Sequence, residues 1–157
     1  MKPLISSALA AALWLAGPVH AAQHDSPVGT WQTIDDETGQ PRSIVEITDH
    51  DGQLQGQVKQ LLNLTPAEIK ADGEHPHCTR CDGDKHDQPI EGMVIMWGVR
   101  QDGDDWDGGH VLDPKKGKTY KVKLHLEEGG EKLTVRGYIG FSLLGRSQTW
   151  IRKASAD

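Results

Sequence analysis

The sequence predicts an all-β protein, about eight antiparallel strands closing into a barrel, with one short helix and a Cys-x-x-Cys excursion. Three observations carry that expectation. Apolar and polar residues alternate with a period of two along most of the chain after Val28. Turn residues rich in glycine, aspartate and proline separate the alternating runs. Only one segment has the chemistry of a helix start. Hairpin-connected strands leave two unpaired edges unless the sheet closes on itself, and closure removes both.

The first element is not part of the fold. Residues 1–22 carry one positive charge at Lys2, then an apolar run from Leu4 to Ala16 interrupted only by Ser6 and Ser7. Gly17 and Pro18 break any helix, and small residues around Ala21 and Ala22 suit a signal peptidase. The run is too short to span a bilayer, so it reads as a cleaved secretory signal, and a periplasmic location is expected. No cysteine stands near the cleavage region to accept lipid, and no later segment is long and apolar enough to cross a membrane as a helix. Residues 23–157 then form a single domain, opening on a short lead over 23–27.

The strands follow in order, over 29–34, 43–48, 54–61, 90–100, 109–112, 118–127, 132–141 and 147–152. The run 118–127 is the clearest: Tyr120, Val122, Leu124 and Leu126 share one face, and Lys121, Lys123, His125 and Glu127 share the other. Asp51-Gly52 and Gly129-Gly130 suit hairpins that need positive φ. Asp113-Pro114-Lys115-Lys116-Gly117 reads as a further tight connection, and residues 102–107 as an acidic loop. Thr65-Pro66-Ala67-Glu68 supplies an N-cap, a proline at the first helical position and a capping-box glutamate, for a helix ending near Gly73. Residues 74–88 form a polar excursion containing both cysteines.

Gly29-Thr30-Trp31 at the first strand and Arg152 on the last resemble lipocalin-like (calycin) barrels, in which such an arginine packs over the tryptophan and closes one end. A closer resemblance covers nearly all of the mature chain. Gly29-Thr30-Trp31 with Asp35-Asp36-Glu37-Thr38-Gly39, Cys78-Thr79-Arg80-Cys81-Asp82-Gly83, Pro89-Ile90-Glu91-Gly92-Met93, Leu112-Asp113-Pro114 and Val135-Arg136-Gly137-Tyr138-Ile139-Gly140 are similar to an exported bacterial domain-of-unknown-function family, number 2147 of that series. The resemblance implies a calycin-like barrel in the periplasm and carries over no catalytic residue.

Charge and motifs bound the function. There are 17 basic against 23 acidic residues, a net charge of −6, and removal of Lys2 with the leader leaves 16 against 23, or −7. Phosphate backbones and anionic lipid are repelled overall, so nucleic acid is not an expected partner. Cys78 and Cys81 are expected to form a disulfide, because the chain reaches an oxidising compartment. Two alternatives use the same segment. His75, His77, Cys78 and Cys81, with His86 nearby, offer nitrogen and sulfur ligands for zinc or copper. Arg80 and His77 would also stabilise a redox-active thiolate.

The acidic loop fails the EF-hand pattern, since Trp106 takes the fifth position counted from Asp102. Ser142 and Ser147 lie in no Gly-x-Ser-x-Gly elbow, so no catalytic residue is assigned and an enzyme is not expected. Arg136 and Tyr138 share one face of their strand, opposite Leu133, Val135, Gly137 and Ile139. An inward-facing Arg136 and Tyr138 would hold a ligand carboxylate, although the apolar row makes the better interior. Met93, Ile95, Trp97 and Val99 are placed on one face of the strand over 90–100, with Trp97 a candidate ligand wall. The expected activity is binding of a small, partly apolar molecule with no cofactor. The alternatives are a metal- or redox-responsive envelope protein and a module for an unknown protein partner.

Overall fold

The computed structural model describes residues 24–141 and 144–154. The leader expected over 1–22 lies outside these residues, as does Ser142. Eight strands close into one antiparallel barrel in chain order: β1 (Gly29–Ile34), β2 (Pro41–His50), β3 (Gln53–Leu61), β4 (Val94–Asp102), β5 (Asp105–Asp113), β6 (Lys118–Glu127), β7 (Lys132–Tyr138) and β8 (Gly145–Lys153). The ring is completed by β1 against β8, where Trp31 lies opposite Arg152.

Alternation fills the interior. Trp31, Val45, Ile47, Leu54, Val58, Met96, Val99, Val122, Leu124, Leu133, Val135 and Trp150 are buried, and their cross-strand partners share their faces. The Asp51-Gly52 turn has φ of 55° and 80°, as a two-residue hairpin matching strand twist requires. The helix α1 (Pro66–Asp72) has the expected start: Thr65 accepts from the Glu68 amide, and the Glu68 carboxylate accepts from the Thr65 amide. No residue of α1 is buried. It is tied to the barrel by charge instead, through Arg42 Nη2 to Glu68 Oε1 at 2.7 Å.

Three sequence expectations change in the structure. Residues 90–93 are a turn, with Gly92 at φ 88° and the Met93 amide donating to Ile90 O, so β4 begins at Val94. Within β4 the alternation breaks at Gly98, φ 72°, where an extra residue is inserted against β3. Met96 and Val99 therefore share the interior, Ile95 is buried on the outer wall, and Trp97 faces outward. The expected acidic loop over 102–107 is a tight hairpin, since β4 runs to Asp102 and β5 starts at Asp105. In addition, β7 stops at Tyr138, and Ile139 and Phe141 belong to the turn into β8.

Candidate ligand site at the barrel mouth

One end of the barrel is sealed. The Arg152 guanidinium lies 4.2 Å from the centroid of the Trp31 ring. It also donates to the carbonyls of Ser26, Val28 and Gly130 at 2.8, 2.9 and 2.7 Å. Burial pushes the Arg152 pKa down, and the Glu131 carboxylate opposes that shift. The lead segment is fastened at the same end by Trp31 Nε1 donating to Pro27 O at 2.8 Å. Trp106 and Trp150, both buried, add two further indoles to the interior of this half, which leaves little room there.

The opposite end is built from the β1–β2 connection, the excursion, the β5–β6 turn and the β7–β8 turn. Here the inward-facing positions are not fully covered. Val111, Tyr120, Gly137 and Gln148 follow the interior alternation of β5, β6, β7 and β8, yet each keeps partial solvent exposure. Gly137 matters because a Cβ there would lie 3.5 Å from the Tyr120 Cβ and 3.7 Å from Val111 Cγ1. A side chain there would start in ordinary contact with both, so a bulky one would press on Tyr120 and Val111. Deeper in, Thr33 and Ser43 are buried and share a 2.8 Å hydroxyl hydrogen bond. At the rim Arg146, opposite Gly137, is ion-paired with Asp36 and with Glu37, the latter at 3.3 Å. The mouth thus presents an apolar wall, a phenol, an amide and a guanidinium.

The ligand-binding residues expected from sequence, Arg136, Tyr138 and Trp97, occupy other places. Arg136 and Tyr138 alternate with the buried Leu133 and Val135 and stand on the outer wall. Arg136 Nη1 donates to Ser147 Oγ at 3.0 Å, and the Tyr138 hydroxyl donates to Asp107 Oδ1 at 3.1 Å. Burial raises the Tyr138 pKa first, and the bond to Asp107 adds to it. An inward carboxylate clamp is therefore not formed, because pointing this pair in would turn Leu133 and Val135 out to water. Trp97 is also on the outside, stacked on His110 at 5.9 Å with the Lys85 ammonium 5.1 Å from its ring. It is a seat for the excursion rather than a barrel wall.

Cys78 and Cys81 are joined by a disulfide and are buried. They pack on the outer wall in the same cluster as Leu112 and Ile95. Backbone bonds between Cys78 N and Gln88 O, and between Ile90 N and Pro76 O, fold the excursion around them. The metal alternative needs two thiolates, and both sulfurs are in the disulfide. The histidines turn to separate partners, His75 to Glu91, His77 to Asp87 and His86 Nδ1 to Cys81 O. Among the described residues no group of three or more His, Cys, Asp or Glu is placed to hold a metal ion.

Two clefts, of about 450 and 490 Å³, open on the outer surface. The first touches Lys85, Leu112, Thr119 and Ile139, and the second touches Arg100, His110, Lys121 and Tyr138. Leu112, Thr119, His110 and Lys121 all face away from the axis, so neither cleft enters the barrel. The mouth remains the better candidate, because there the fold itself directs side chains inward.

Tyr120 was legible as an interior residue from its alternation with Val122 and Leu124. Arg146 and Gln148 were not, because their places depend on the pairing of β8 with β7 and on contacts to Asp36 and Glu37 over a hundred residues away.

An eight-stranded antiparallel barrel in meander order, closed at one end by an arginine over the indole of a Gly-x-Trp, defines a lipocalin-like protein. The fold is similar to a solved structure described as protein HP1028 from the human pathogen Helicobacter pylori, which belongs to the lipocalin family. The two agree with a TM-score of 0.69 and 18% sequence identity, over 83% of this chain and 85% of that one, a likeness of fold. By sequence, residues 29–152 match the family described as uncharacterized protein conserved in bacteria (DUF2147), and the chain belongs to that family. No curated protein matches the chain.

Proposed function

We propose that the protein is an exported, periplasmic binder of a small, partly apolar molecule held in the upper half of its barrel. The observation that carries the reading is the asymmetry of the two ends. Arg152 seals one over Trp31, while Val111, Tyr120, Gly137 and Gln148 face inward at the other and stay partly wet. Apolar side chains directed into a solvent-reached concavity gain by covering themselves with a ligand. The indoles of Trp31, Trp106 and Trp150 limit how deep that ligand goes. Its apolar part would lie against Val111 and Tyr120, and its polar end would stay at the rim near Gln148 and Arg146. Export is supported by the leader, and the Cys78–Cys81 disulfide suits an oxidising compartment. Binding rather than catalysis is the reading because, among the described residues of the mouth, the carboxylates of Asp36 and Glu37 are both taken up by Arg146 and no activated nucleophile stands beside them.

The test is titration with an amphiphilic fluorescent probe, 1-anilinonaphthalene-8-sulfonate. Gly137→Leu fills the mouth and is expected to weaken binding at least tenfold with unchanged far-UV circular dichroism. Arg136→Ala, on the outer wall, is expected to leave it unaltered. Full binding by Gly137→Leu, or none by the native protein, would overturn the reading.

A further inference from the structure

The turn from β7 into β8 breaks the usual rule for connections. Its described residues Ile139, Phe141 and Leu144 are 66%, 78% and 71% exposed, larger exposures than those of Val28 and Ile69 elsewhere. A connection in water gains nothing from three large apolar side chains, and polar residues would serve the turn equally well. Leu144 N donates to Phe141 O, Ile139 N donates to Leu144 O, and Gly140 has φ 74°. It stands at the mouth end. Ile139 shares a cleft with Lys118, and the adjoining β5–β6 turn adds Lys115 and Lys116, 74% and 49% exposed, whereas Lys85 in the same cleft is turned to Trp97 and Val94 O. Asp82 and Asp113 stand among these lysines, and Lys115 and Lys116 reach Glu68 and Asp113 only at 3.7 and 3.8 Å.

We infer that this turn is a membrane-contacting tip: Phe141, Leu144 and Ile139 enter the interfacial layer of a lipid bilayer, and the neighbouring lysines meet anionic headgroups. Two arguments choose this occupant. Three side chains present on the order of 400 Å² of apolar surface, well short of the roughly 800 Å² per partner that a stable protein interface buries. A second copy docked tip to tip would also oppose the same lysines across the contact. A bilayer interface suits a small projecting apolar wedge with long cationic side chains beside it, because shallow insertion suffices and the charged heads remain in water. The net charge of −7 without the leader repels an anionic surface as a whole, but at physiological ionic strength the field is screened beyond about 8 Å. The face that touches therefore decides. This tip does not depend on what the barrel holds.

The test is co-flotation of the signal-free protein with vesicles of phosphatidylethanolamine and phosphatidylglycerol, together with sedimentation velocity without lipid. The native protein is expected to partition onto the vesicles and to sediment as a monomer. Phe141→Ser with Leu144→Ser is expected to lower partitioning at least tenfold while keeping the melting temperature, and each single variant is expected to fall between. Native protein that stays in solution, or a double variant that floats equally well, would overturn the inference. So would a native dimer that Phe141→Ser dissolves, since the tip would then belong to a second copy.

Discussion

At Arg152 a single guanidinium both caps the Trp31 ring and satisfies three carbonyls, two of them in the lead segment before β1. A lysine has the charge but not the planar fork, so it cannot reproduce these bonds. Arg152→Lys is expected to lower stability by about 2 kcal/mol in urea unfolding, and Arg152→Ala by about 3 kcal/mol, from lost donors and lost ring contact. Equal stability of Arg152→Lys and the native protein would mean that charge alone seals this end. Gly109 is a second sensitive position. A Cβ there would lie 2.5 Å from Trp97 O and 2.6 Å from Val99 N, which are backbone atoms that cannot step aside cheaply. Gly109→Ala is therefore expected to cost at least about 2 kcal/mol by thermal unfolding.

At the scale of elements, α1 is held by charge where a typical surface helix is held by an apolar face. The Arg42 guanidinium, followed by the Thr65 amide, brings the Glu68 pKa from 4.5 to about 2. A carboxylate whose pKa is depressed by folding adds stability that is fully present above pH 4.5 and lost as the pH falls toward 2. Allowing for partial solvent screening, the contribution is about 2 kcal/mol. Glu68→Gln is expected to lower stability at pH 7 and to flatten its fall between pH 4.5 and 2. An unchanged acid limb would contradict that role. The disulfide belongs to the same scale. It closes a loop of sequence separation 3, for which chain entropy gives about 2 kcal/mol. The double variant Cys78→Ser, Cys81→Ser is expected to lower the melting temperature while the near-ultraviolet signal of the barrel indoles persists. Loss of that signal would show that the excursion is integral to the barrel.

The sequence carried the local features of these elements well and the long-range ones poorly. The capping box at Thr65 and the Asp51-Gly52 hairpin use contacts within a few residues, so residue order displays them. The helix tether through Arg42 does not appear that way, because β2 lies far from α1 in sequence. The bulge at Gly98 was hidden for a different reason. A glycine within an apolar run reads equally as a break or as strand interior, and the choice moves every later side chain to the other face. That is why Val99 was expected on the face of Ile95 and Trp97 but stands in the interior with Met96, while Ile95 and Trp97 keep a common face on the outer wall.

For the whole molecule, the barrel divides into a packed, sealed half and a half whose inward-facing residues stay partly exposed. The closed end is legible from Trp31 and Arg152, because both a spacing motif and a matching charge mark it. The mouth was not legible, since it depends on which loops gather at the same end and on Gly137 lying against Tyr120 and Val111. Ligand binding at this mouth is the central proposal. It is tested most directly by native mass spectrometry of protein purified from cells that export it, set against the mass of the denatured chain. One discrete organic mass is expected on the native protein, and none on Gly137→Leu prepared in the same way. A native protein that is bare, and that remains bare when offered amphiphilic molecules, would contradict it.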